Sequence, residues 1–138
     1  MSCLFCEIAA GREISDVVYQ DDLAVAFLDH RPLFAGHVLL VPRAHIVTLA
    51  ELPESDVGPF FRIAQRLEVA VERAMSADGS FVAINNIVSQ SVPHLHIHIV
   101  PRRRKDGLRG FFWPRIRYRD DAERHETAER IRSFLAPL

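Results

Sequence analysis

Ser91-Val92-Pro93-His94-Leu95-His96-Ile97-His98-Ile99-Val100-Pro101 is the stretch on which the fold turns. Three histidines alternate with aliphatic residues between two prolines. Strict alternation predicts a β-strand, because successive side chains of an extended chain point to opposite faces. Leu95, Ile97 and Ile99 then enter the core, while His94, His96 and His98 share the other face. Two residues of strand rise roughly 6.6 Å, which sets the outer imidazoles roughly 13 Å apart at the backbone. All three cannot ligate one ion from a regular strand, so at least one imidazole remains for other work. A half-exposed strand merely rich in histidine is the plainer alternative. Histidine is not a favoured strand residue, however, and its ordinary pKa lies closest to neutrality. Such a row suits a phosphate, a metal or a proton.

Outward from this stretch, Ser80 to Asn85 reads as the strand that pairs with it, and Asn86 to Ser91 as the link. Gly36 to Pro42 carries the continuous apolar run Val38-Leu39-Leu40-Val41 of a buried central strand. Val17 to Gln20 and Leu23 to Leu28 read as two short strands around a turn at Asp21-Asp22. From Ser55 to about Met75 apolar residues recur every three or four positions, an amphipathic helix entered by Pro53 and capped by Ser55. A second helix spans Asp120 to Leu135, with acids at its start and Pro137 beyond its end. The expected fold class is α+β: a mainly antiparallel sheet of about five strands with two helices. It forms a single domain over residues 1–138, with a core from about 3 to 113 and a basic loop and helix over 102–138.

Composition narrows the function. Nearly half the 138 residues are apolar, a quarter are charged and the net charge is −1, which suits an ordinary globular domain and argues against a dedicated nucleic-acid binder. No apolar run approaches the roughly 20 residues that span a bilayer. The start of the chain has no basic n-region and no long apolar run, and two cysteines make no disulfide scaffold. A reducing cytoplasm is the expected location.

Cys3 and Cys6 form a C-x-x-C, readable as a redox pair, half a zinc site or two buried small residues. Residues 102–119 interleave Arg102, Arg103, Arg104, Lys105, Arg109, Arg115, Arg117 and Arg119 with Phe111, Phe112, Trp113 and Tyr118. That pattern fits a phosphate-rich small ligand better than nucleic acid, the alternative being a solvated loop.

His94-Leu95-His96-Ile97-His98-Ile99-Val100 resembles the signature of the histidine triad superfamily of nucleotide hydrolases and transferases, in its zinc-containing bacterial form. Phe27-Leu28-Asp29, Gly36-His37, Pro42-Arg43-Ala44-His45 and Gln90-Ser91-Val92 follow the family's order and spacing as well. The resemblance implies a homodimer of the same α+β fold and a structural zinc on Cys3, Cys6, His45 and His94. It implies a purine nucleotide pocket, for AMP or GMP, with Leu4, Phe5, Phe27, Asp29, His30, Asn85, Gln90 and Ser91 around it. It places His37 near the triad in a supporting role, and Trp113-Pro114 is similar to a pair that in some members reaches the neighbouring subunit. One departure stands out. The link 86–91 is shorter than the family's usual one and has no glycine to let backbone amides approach a phosphate.

The implied chemistry is nucleotidyl transfer at the α-phosphate of a phosphoramidate, acyl adenylate or dinucleoside polyphosphate. His96 is the nucleophile, while His98 and Ser91 bond the phosphate or leaving group. A nucleotide-binding regulator with negligible turnover and a zinc-stabilised interaction module are the rival readings.

Overall fold

In the computed structural model, which describes residues 2–109 and 115–135, the histidine stretch becomes a strand only over its second half. The five strands are β1 (Val17–Gln20), β2 (Ala24–Leu28), β3 (Val38–Pro42), β4 (Gly79–Ala83) and β5 (Ile97–Arg102), in one antiparallel sheet of order β1-β2-β3-β5-β4. His94, Leu95 and His96 precede β5 in irregular chain, because Leu95 donates its N–H to the Ile46 carbonyl (2.6 Å) in the loop after β3. The alternation of faces nonetheless holds. Leu95, Ile97 and Ile99 are fully buried on one side, and His94 and His96, at 0% and 2% exposure, are buried rather than half-exposed on the other.

Both faces of the central strands are covered. Ala24, Ala26, Val38, Leu40, Leu95, Ile97 and Ile99 pack beneath Phe60, Ile63, Ala64, Leu67 and Val71 of the long helix α2 (Glu54–Ala74). Val25, Phe27, Leu39 and Val41 meet Phe5, Ile8 and Ala9 of a short helix, α1 (Leu4–Ala9). Strands covered on both sides read as continuous apolar runs, as Val38–Val41 does. The sequence reading misses α1: six residues are too few to show a period, and such a helix is held by packing rather than propensity. The sheet therefore carries helices on both faces, and the described residues hold three helices where two are expected.

Local chemistry explains the boundaries. Between β1 and β2 the Asp21 carboxylate accepts the N–H groups of Leu23 and Ala24, each at 2.8 Å, and the Tyr19 hydroxyl at 2.7 Å. Ser55 does not cap α2. The helix begins one residue earlier, with Pro53 in the capping position and the Pro53 carbonyl accepting from Asp56 (2.8 Å), so Ser55 already lies inside the first turn. Glu54 and Asp56 face the positive end of the helix dipole there.

The chain divides into two compact units, Met1–Asp106 and Gly107–Leu138. The second contains helix α3 (Asp121–Phe134), capped by Asp120 through its carboxylate to the Glu123 N–H at 2.8 Å. Phe111, Phe112, Trp113-Pro114 and Pro137 lie outside the described residues. Among the described residues no helix is long and apolar enough to cross a membrane.

Candidate functional site

A cleft of about 540 Å³ opens on the α1 face of the sheet. Leu4, Phe5 and Ile8 of α1 form one wall, Phe27, Asp29 and His30 at the end of β2 another, with Ser91, His96 and His98 alongside. Phe5 meets Phe27 edge to face at 5.3 Å and His96 at 5.1 Å, so aromatic packing joins the apolar wall to the triad. Ile8, Glu13, Ser15, Asp16 and Leu39 also line the cleft. The i to i+4 spacing of Leu4 and Ile8 would have exposed Ile8 had α1 been recognised; residues 13–16 form no pattern.

Asn85 and Gln90 are not among the lining residues. Gln90 is turned to its own loop, donating Nε2–H to the Val47 carbonyl (2.7 Å) and accepting the Ile87 N–H (3.1 Å). Asn86 accepts the Leu49 N–H at 2.8 Å. These bonds fasten the glycine-free link to residues 47–49. Within it Ile87 and Ser89 take φ values of 67° and 62°, the left-handed region that favours glycine and strains a β-branched residue. Backbone angles that glycine favours thus occur here without glycine, in a loop tied by Asn86 and Gln90.

No Lys or Arg lines the cleft among the described residues. Arg102 is four residues beyond His98, roughly 13 Å along the strand, and it grips Asp106 at 2.6 and 3.0 Å. Arg103 donates to the Met75 carbonyl. Arg102 and Arg103, from the stretch read as fitting a phosphate-rich ligand, thus bond to Asp106 and Met75.

Backbone groups assign the imidazole protons, because a carbonyl only accepts and an N–H only donates. His94 donates Nε2–H to the Pro42 carbonyl at 2.8 Å, which leaves the Nδ1 lone pair facing Cys3 and Cys6. His96 donates Nδ1–H to the His94 carbonyl at 2.7 Å, so in the neutral ring the lone pair is on Nε2. His37 accepts the Leu33 N–H at Nδ1 (3.1 Å), so its proton sits on Nε2 and is donated to His98 Nδ1 at 3.0 Å. His98 therefore holds its own proton on Nε2. Burial, with His96 and His37 beside it, lowers the His98 pKa to about 4. Burial also lowers that of His37, against the opposing pull of Asp29. Both are neutral at neutral pH, as this proton chain requires.

Cys3, Cys6, His45 and His94 converge beside the cleft, their ligand atoms all within 4.8 Å of one another. His94 Nδ1 stands 3.4 Å from Cys3 Sγ and 3.5 Å from Cys6 Sγ, and His45 Nδ1 is 3.3 Å from Cys6 Sγ. A tetrahedral zinc with bonds of about 2.3 Å to sulfur and 2.0 Å to nitrogen separates S from N by about 3.5 Å. Two thiols and two imidazoles, with the His94 Nδ1 lone pair turned to the sulfurs, fit that ion. When bound, it would supply a closed four-point tie between the start of α1, the loop after β3 and the triad. Asp29, His37 and His98 form another close group, also within 4.8 Å. There His37 Nε2 carries the proton given to His98 and has no lone pair for a cation.

An antiparallel sheet with helices on both faces carries alternating histidines, His94 toward the two cysteines and His96 and His98 on the cleft, which is the arrangement of a histidine-triad protein. The HIT domain family model matches residues 11–105, and the chain belongs to that family. A solved member of the HIT family from Bacillus subtilis superposes with a TM-score of 0.89 at 29% identity, covering 100% of both chains. A zinc-bound histidine triad family protein from Mycobacterium smegmatis superposes with a TM-score of 0.73 at 33% identity, covering 96% of this chain and 97% of that one. The adenylylsulfatase HINT3 of Arabidopsis thaliana is 35% identical over 77% of this chain and 55% of its own length. The asymmetrical bis(5'-nucleosyl)-tetraphosphatase of Schizosaccharomyces pombe is 34% identical over 67% of this chain and 52% of its own. The family thus includes nucleotide hydrolases, and the chain spans about half the length of these two.

Proposed function

We propose that the protein is a nucleotidyl hydrolase or transferase acting at the α-phosphate of purine nucleotide derivatives. One observation carries this reading: on the cleft wall, His96 donates Nδ1–H to the His94 carbonyl (2.7 Å), which places the lone pair of the neutral imidazole on Nε2, the nucleophilic atom. Nε2 attacks the α-phosphorus, a P–N bond forms, and the bond to the departing amine, acyl or phosphate group breaks. Water or another acceptor then cleaves the P–N bond and releases AMP or GMP. His98 Nε2–H and the Ser91 hydroxyl donate to the phosphate oxygens or the leaving group. The base lies against the apolar wall of Leu4, Phe5 and Phe27, and the Asp29 carboxylate accepts from the ribose hydroxyls. Gln90 acts through the loop rather than on the ligand, and Asn85 stands outside the cleft lining. A structural zinc on Cys3, Cys6, His45 and His94, a homodimer and a cytoplasmic location complete the reading, the last two resting on the family likeness and composition.

Steady-state hydrolysis of an adenosine phosphoramidate, with AMP affinity measured alongside, tests the assignment. His96→Asn should lower kcat more than about 10³-fold while AMP affinity stays within about threefold. Equal turnover by wild type and variant would overturn it. A nucleotide-binding regulator is the second reading, favoured by the fastened loop 86–91, whose Asn86 and Gln90 side chains are spent on residues 47–49. Loss of zinc from His96→Asn would instead favour the metal-supported interaction module.

A further inference from the structure

We propose that Cys3 and Cys6 form a redox latch, whose oxidation to a disulfide expels the metal and releases α1 from the cleft. The inference rests on the zinc reading above and concerns what these two thiols do beyond holding the ion. Cys3 and Cys6 bracket the first turn of α1, and their sulfurs lie within the same 4.8 Å cluster as His45 and His94. Residues one helical turn apart are neighbours, and rotation of the side chains brings two such sulfurs to the roughly 2.05 Å of a disulfide.

That reaction changes what the cysteines connect. As ligands they tie α1 to His45 and His94, which lie 39 to 91 residues away in sequence. As a disulfide they are joined only to each other. Among the described residues α1 is otherwise held by the Arg43 guanidinium on the Ala9 carbonyl (2.6 Å) and by the packing of Phe5, Ile8 and Ala9, the Phe5 ring against His94 and His96 included. A six-residue helix has little stability of its own. Leu4, Phe5 and Ile8, which it carries, form one wall of the cleft, and Phe5 touches His96. A peroxide is the oxidant: two zinc-bound thiolates lose two electrons and form the S–S bond. Hydrogen peroxide takes those electrons and two protons to give two waters, and Zn²⁺ leaves with both imidazoles freed.

The full chain as purified is assayed for zinc, then treated with hydrogen peroxide and followed by a colorimetric zinc chelator, intact mass and hydrogen exchange. The latch predicts one zinc released per 2 Da lost, at least tenfold faster exchange in residues 4–9 with β2 and β3 unchanged, and reversal by dithiothreitol plus zinc. Cys6→Ser should show no 2 Da loss. Gains of 16 or 32 Da without zinc release, or zinc release with unchanged exchange in residues 4–9, would overturn the latch. Metal-free protein as purified would overturn the zinc reading itself, and the latch with it. Because no arm uses a nucleotide, the outcome is independent of the proposed catalysis.

Discussion

His96 donates its Nδ1–H to the carbonyl oxygen of His94, two residues earlier in the chain, across 2.7 Å. The same His94 turns its Nδ1 toward Cys3 and Cys6 and its Nε2–H toward the Pro42 carbonyl. One residue thus joins the metal-type cluster to the side chain that the cleft presents. The His-x-His spacing makes this possible, because it sets the His96 imidazole beside the His94 carbonyl that orients it.

In the proposed reaction, neutral His98 donates from Nε2 to phosphate only while His37 holds its Nδ1. His98→Ala should lower kcat about 10²–10³-fold, the usual effect of removing one oriented donor at a developing anion. His37→Phe should give a smaller loss in kcat and alter its acid limb, because His98 then changes both tautomer and pKa. The two pH–rate profiles check this; an unaltered profile for His37→Phe would remove the relay.

Stability should fall on acidification in a defined window. Burial lowers His98 from the ordinary 6.5 to about 4 and lowers His37 in the same direction. Between these values the unfolded chain binds protons that the native state refuses. The native state is therefore favoured fully above about 6.5 and progressively less toward about 4. Urea unfolding at a series of pH values measures this. In His37→Phe/His98→Phe the slope between pH 4 and 6.5 should flatten.

Chelation should cost stability as well. Stripping metal with a strong chelator should lower Tm by more than about 5 °C, the shift expected from roughly 1–2 kcal/mol in a chain of this size. Calorimetry before and after chelation checks this, and an unchanged Tm would contradict a structural ion on Cys3, Cys6, His45 and His94.

Much of this was legible in the sequence, and for identifiable reasons. Period-two alternation revealed the face shared by His94, His96 and His98, and the apolar run Val38–Val41 revealed a strand covered on both sides. Helix α2 announced itself through Phe60, Ala64, Leu67 and Val71. What stayed hidden depended on tertiary partners. Helix α1 is too short to show a period, β5 starts late because Leu95 bonds to Ile46, and Gln90 turns to Val47 instead of the cleft. The basic stretch suggested a phosphate contact, yet Arg102 closes on Asp106 only four residues away.

Two backbone positions make opposite predictions. Gly36, just before His37, has φ 93°, and a Cβ there would lie 2.5 Å from Met75 Cγ. Gly36→Ala should destabilise by about 1–3 kcal/mol. Ile87 is 66% exposed with φ 67°, so Ile87→Gly exchanges left-handed strain for chain entropy and should stabilise by up to about 1 kcal/mol. Chemical denaturation of both variants checks the pair.

The central claim is that His96 becomes covalently nucleotidylated. Intact-mass spectrometry after brief mixing with an adenosine phosphoramidate and acid-free quenching tests it most directly, on wild type and His96→Asn. The account predicts an adenylyl adduct on the wild type and none on the variant. An unmodified wild-type protein that leaves the substrate unconsumed over hours, while still binding AMP, would contradict it.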